Sequence, residues 1–163
     1  MMVAITVHQP WAYAIARLGK AVENRDWMPH ARNLGRPMAI HAGKKLDEEA
    51  VLDLRAEGMA VPDEMALGAV VAVARLIGIV EIETNDGGCR VVASMRPEAE
   101  VREAALSHDA LWFCGRYGWV FGRRVELPEP VACRGAQGLW PLPADVETAV
   151  REQISALRSA GRA

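Results

Sequence analysis

The chain has 163 residues and a formal net charge of −2, with 51% hydrophobic and 25% charged residues. That length gives one domain as the default with enough chain for a real core, and that composition excludes wholesale disorder. The longest apolar run, residues 66–80, is broken by Gly68, Arg75 and Gly78 and falls short of the ~20 residues a membrane helix requires. No charged segment followed by an apolar core opens the chain, so no signal peptide is expected. Cys89, Cys114 and Cys133 are odd in number and include no C-x-x-C pair, which argues against a disulfide framework or a structural zinc site and fits the cytoplasm.

Val3-Ala4-Ile5-Thr6-Val7 is short, β-branched and reads as a buried strand. Pro10 suits a first helical turn, and Trp11, Ile15 and Leu18 fall at i, i+4 and i+7 on one apolar face. Gly19 closes that helix. Residues 20–25 are a strand, in which alternate side chains share a face, so Glu23 and Arg25 point together and Val22 points away. Lys20, at the turn, has a stem long enough to reach either side. Residues 26–35 form a loop, and Pro37 to Ala42 the next strand. Asp47 caps a second helix with Glu48 and Glu49 in its first turn, Leu46 and Val51 stapling its start and Gly58 ending it.

A long β-rich stretch follows from Gly68 to Ile82, with Gly78 at a bulge or bend. Asp86-Gly87-Gly88 is a turn, Arg90 to Ala93 a short strand, and Pro97 to Ser107 a short helix. Residues 83–109 also read as a mobile insertion. Leu111 to Cys114, Tyr117 to Leu127 and Val131 to Cys133 read as strands. Val146, Val150, Ile154 and Leu157 make an amphipathic C-terminal helix. The pattern predicts an α+β, mainly β chain: a small barrel or curled sheet with helices at its rim. Strand and helix do not alternate regularly, and no Gly-rich loop follows the first strand, so a Rossmann fold or P-loop is disfavoured.

Charge is unevenly placed. Residues 1–45 carry +5 and residues 46–64 carry −6, the latter mostly on the second helix; residues 110–142 carry +2. The basic blocks hold the polar motifs, and a local basic surface attracts phosphate even on a slightly acidic chain.

Those motifs are His8-Gln9-Pro10-Trp11-Ala12, Gly19-Lys20-x-x-Glu23-x-Arg25, Ile40-His41-Ala42, Gly68-Ala69-Val70-Val71-Ala72, Tyr117-Gly118-Trp119 and Arg134-Gly135-Ala136-Gln137-Gly138-Leu139-Trp140. Together they resemble the ASCH domain family of the PUA-like superfamily, across roughly residues 3–142. The resemblance implies a PUA-like β-barrel with flanking helices over residues 1–142, the 143–163 helix packing on or extending from it. It also implies a cleft beside the first helix, and RNA or another single-stranded nucleic acid, or a nucleoside, as partner. Family members are described as coactivator modules, nucleic-acid binders, ribonucleases, or small hydrolases of acetylated cytidine. The hydrolases resemble a K-x-x-T-x-R form of the motif, whereas Glu23 stands here in place of the threonine.

The expected nucleic-acid-binding residues are Gln9, Lys20, Glu23, Arg25, His41, Tyr117, Arg134 and Trp140. Lys20 neutralises a phosphate or, if desolvated, acts as a base. Arg25 binds phosphate in a bidentate manner or is held by Glu23. Gln9, at the helix start, is placed to read a base edge, and Tyr117 and Trp140, beside glycines, to stack on one. The plainer alternative makes Lys20, Glu23 and Arg25 an ion-pair network fixing the helix–strand junction, with His41 a structural histidine and Trp11 and Trp119 core. In an enzymatic reading, Lys20 and Glu23 are catalytic, as a metal-independent ribonuclease or a hydrolase of a modified nucleoside. A third reading is a protein-interaction module whose acidic helix, 47–57, and C-terminal helix face a partner. No metal or cofactor is expected.

Overall fold

The computed structural model describes residues 1–82, 89–106 and 112–162. The expected turn at Asp86 to Gly88, together with Ser107 and Leu111, lies outside the described residues. Among them the chain forms seven strands, four α-helices and one 3-10 turn at Ala31–Asn33, an α+β arrangement that is mainly β, as the sequence predicts. It divides into two compact units. The first comprises residues 1–19, 38–73 and 125–163; the second comprises 20–37 and 74–124.

In the first unit, β1 (Val3–Gln9) runs parallel to β3 (Pro37–Leu46), with Ile5 opposite Ile40 and Thr6 opposite His41. β7 (Leu139–Pro141) adds antiparallel to β1, with Ala4 opposite Trp140. Parallel strands are covered on both faces and so read as near-continuous apolar runs, which explains Ala4-Ile5 and Met38-Ala39-Ile40, all buried. β4 (Ala69–Ile82) and β6 (Tyr117–Ala132) contribute their first and last stretches respectively. β6 runs on to Ala132 and absorbs the separate strand expected at Val131 to Cys133. Pro128 and Pro130 lack N–H groups, and between them the Glu129 N–H donates to Gln153 Oε1 at 3.0 Å while its carbonyl accepts from Gln153 Nε2 at 2.9 Å.

The helices of this unit follow their sequence signals. α1 (Trp11–Arg17) packs against β1 through buried Ala12, Ala14 and Ile15, while Trp11 and Leu18 are only half-buried. The small alanines, rather than the expected Trp11–Leu18 stripe, let this short helix approach closely. α2 (Glu48–Ala56) is capped by Asp47, whose Oδ1 accepts from the Ala50 N–H at 3.1 Å, and is ended by Gly58 at φ +80°. α4 (Ala144–Ser159) buries Val146 and Val150 in a cluster with Met2, Val70, Leu127 and Trp140.

In the second unit, β2 (Val22–Arg25) pairs antiparallel with β6, placing Glu23 opposite Trp119 and Arg25 opposite Tyr117. β4 pairs with β5 (Cys89–Ser94), with a register shift between Ile79 and Val80, next to the glycine where the sequence places a bulge. α3 (Glu98–Leu106) lies over Gly78, and Val101 joins Val22, Ile77, Val80, Phe113 and Val120 in the core. Trp112 to Cys114 are not the expected strand. The Asn24 side chain holds this segment instead, donating to the Trp112 carbonyl at 2.7 Å and accepting from the Cys114 N–H at 3.0 Å.

Candidate nucleic-acid interface

In the second unit the Gly-Lys-x-x-Glu-x-Arg motif turns inward. Lys20 is 2% exposed and Glu23 is buried. The Lys20 Nζ donates to the Val22 carbonyl and stands 3.5 Å from Glu23 Oε2, while Arg25 reaches Glu23 Oε1 at 3.0 Å. The strand alternation that places Glu23 and Arg25 together is what the sequence predicts. The expectation that Lys20 is left open for an anion is corrected: its stem runs into the core, and its ammonium meets groups of its own chain. Burial pushes the Lys20 pKa down, and the Glu23 carboxylate opposes that shift. Only Arg25 has appreciable access, with 22% of its side chain exposed. Tyr117 is half-buried, and the Arg116 guanidinium stands 4.8 Å from its ring centroid, so one stacking face is already met by a cation.

In the first unit a cleft of about 940 Å³ opens over the adjoining strands β1 and β3, bordered by Thr6, His41, Lys44, Cys133, Arg134 and Gln137. Parallel register sets Thr6 beside His41, and β3 carries on to Gly43 and Lys44. The far wall is the segment after β6, tied down where the Cys133 N–H donates to the Gly68 carbonyl at 3.0 Å. His41 is 2% exposed, and its Nε2 lies 3.1 Å from the Cys133 carbonyl. A carbonyl only accepts, so Nε2 carries the proton and Nδ1 is left as a bare acceptor. That Nδ1 is buried and has no hydrogen-bond partner among the described residues. Burial holds the His41 pKa below its ordinary value, which keeps the ring neutral.

The rest of the wall fixes this ring. The Thr6 hydroxyl donates to the Ala136 carbonyl at 2.9 Å and accepts from the Trp140 indole at 3.2 Å. The Trp140 ring meets the His41 ring edge-on, 5.4 Å between centroids. Gly135 passes so close that a Cβ on it would lie 2.5 Å from His41 Cε1 and 2.9 Å from Thr6 Oγ1. Lys44 and Arg134 are exposed at the cleft, and neither is in an ion pair among the described residues.

Of the expected residues in this unit, His41 and Arg134 line the cleft and Trp140 braces it from behind, 7% exposed. Gln9 differs from expectation. It is 1% exposed, and its amide is spent on the Tyr13 N–H and the Ala66 carbonyl, both at 2.9 Å, as a helix-start clamp. Thr6, Lys44 and Gln137 were not singled out by the sequence. A lone hydroxyl in an apolar strand and a lysine pair after His41-Ala42-Gly43 are the signals that mark the first two.

Among the described residues, no group of three or more His, Cys, Asp or Glu is placed to hold a metal ion, and no helix is long and apolar enough to cross a membrane. Among the described residues Cys89, Cys114 and Cys133 form no disulfide.

No known protein family matches the chain, and neither does any curated protein. Among solved structures it is similar to the crystal structure of ASCH from Zymomonas mobilis, at 14% identity and a TM-score of 0.48, covering 93% of this chain and 94% of that one. Two mutant forms of the same protein are similar at 13% and 14% identity and TM-scores of 0.47 and 0.49, covering 93% of this chain and 94% and 96% of theirs.

Proposed function

We propose that the first unit's cleft binds single-stranded nucleic acid, RNA being the class that the ASCH resemblance implies. The observation that carries this reading is that two exposed cations, Lys44 and Arg134, in no ion pair among the described residues, stand at a roomy cleft bordered by polar groups. Arg134 offers a planar fork and Lys44 a point charge, the two standard ways of meeting a phosphate. Thr6, Gln137 and the peptide groups of residues 134–137 border the space a base would enter. In this reading the Lys20–Glu23–Arg25 network supports its own unit and does not make the main phosphate contacts.

The test is fluorescence anisotropy with a short single-stranded RNA over a salt series. Lys44→Ala and Arg134→Ala should each weaken binding about fivefold, ~1 kcal/mol for an exposed contact. Each should also reduce the slope of log K against log salt by about 0.7. Lys45→Ala, on the adjacent exposed residue outside the cleft, should leave both unchanged. Parent-like affinity and slope in both cleft variants would dismiss the reading.

A further inference from the structure

Away from the cleft, the first unit carries a groove of about 270 Å³ between α2 and the segment that follows it. Its lining includes Leu46, Val51, Leu52, Pro62 and Met65. Leu52 is 66% exposed in the middle of α2, and Leu46 is 38% exposed at its start. Leu67, two residues beyond Met65, is 47% exposed. Core-sized side chains left in water at a concave surface mark an interaction site more often than chance exposure does. The groove is also preformed: Arg55 bonds the Val61 carbonyl at 3.1 Å and Asp63 at 2.8 Å, which fixes the wall opposite the helix.

Charge selects the occupant. Residues 46–64 carry −6. Asp47 is used as the cap and Asp63 pairs with Arg55. Glu48, Glu49, Asp53, Glu57 and Glu64 are exposed, with no ion pair among the described residues. A second copy docked through the same face would bring acid against acid, and a nucleic acid would bring phosphate against carboxylate, both repulsive. We infer that this groove docks a basic amphipathic helix of a partner protein, its apolar side chains seated on Leu46, Leu52 and Met65 and its lysines or arginines facing the α2 carboxylates. The mode is helix-in-groove recognition, in which apolar anchors supply affinity and the charged rim supplies selectivity.

The probe is a fluorescein-labelled synthetic Leu/Lys amphipathic peptide of about four turns, titrated with the full chain, beside a control peptide with every leucine replaced by serine. The Leu peptide should bind at least roughly tenfold tighter than the Ser peptide. Leu52→Ser should weaken the Leu peptide by a similar factor with at most a small fall in melting temperature, because Leu52 is 66% exposed and outside the core. Glu48→Lys with Glu49→Lys should weaken it further and flatten its salt dependence. Equal binding of the two peptides would reduce the effect to bare charge and overturn the inference. So would absence of binding, indifference to Leu52→Ser, or self-association that Leu52→Ser abolishes.

Discussion

Removing the Glu23 carboxylate should cost far more than removing the Lys20 ammonium. Glu23 receives both Lys20 and Arg25, so Glu23→Ala leaves a buried ammonium without its counter-charge, a loss of about 3–5 kcal/mol. Lys20→Met leaves Glu23 with Arg25 and fills the same space with an apolar chain, at a cost of roughly 1 kcal/mol. Urea unfolding of the two variants and of the double variant checks this, the double falling well short of the sum. If Lys20→Met is as damaging as Glu23→Ala, the network is not centred on the carboxylate. Sequence spacing alone shows that Glu23 and Arg25 share a face, because a strand has period two. The direction of Lys20 is not legible there, since a four-carbon stem reaches either side and tertiary burial decides. Gln9 is the same kind of case: an amide at a helix start serves a backbone as readily as a base.

At the scale of elements, α3 rests on the bare backbone of β4. A Cβ at Gly78 would lie 2.5 Å from one Val101 methyl and 2.9 Å from the other. Gly78→Ala should therefore lift α3, costing about 1–3 kcal/mol by overpacking, and hydrogen exchange over residues 98–106 should quicken. At Gly118 the corresponding Cβ would meet the Phe113 ring at 2.6 Å, so two glycines shape one core. Unchanged exchange in α3 would show that the helix has room to shift without loss. The glycine at the bulge was readable, because a strand-interior glycine signals a close approach. β7 was not, since three residues carry no period and its pairing with β1 comes from sequence far away. Trp112 to Cys114 read as a strand by composition, yet Asn24 satisfies their peptide groups with a side chain, which no local pattern encodes.

For the molecule as a whole, two buried bases shape stability against pH. His41 has a folded pKa below its ordinary 6.5, so the unfolded chain takes up its proton first as pH falls. Stability from this residue is complete above 6.5, declines as pH drops through the folded value, and levels off below it. His41→Gln keeps an amide donor at the Nε2 position for the Cys133 carbonyl and removes the titration. The difference in unfolding free energy between parent and variant should therefore narrow or reverse on acidification, while a constant difference would exclude the linkage. Lys20 acts with the same sign at the alkaline end, where stability rises with pH between its lowered value and the ordinary 10.5. The mainly-β class and the order of the motif blocks were legible, because both rest on local pattern. The cleft was legible only in His41 and Arg134. Its remaining parts meet through parallel register and a loop some ninety residues away from β3, an arrangement visible only once the strands are paired.

The chain has three lysines, and folding sorts them into two kinds. Lys44 and Lys45 stand exposed at the end of β3, while Lys20 is sealed. Toward an acylating reagent the native protein thus presents two lysine amines, one of them on the cleft. The third becomes nucleophilic only when its unit opens and its proton is released. Acetylation would erase positive charge at Lys44 and Lys45 and leave the interior Lys20 ammonium intact, so one modification tells the two kinds of lysine apart.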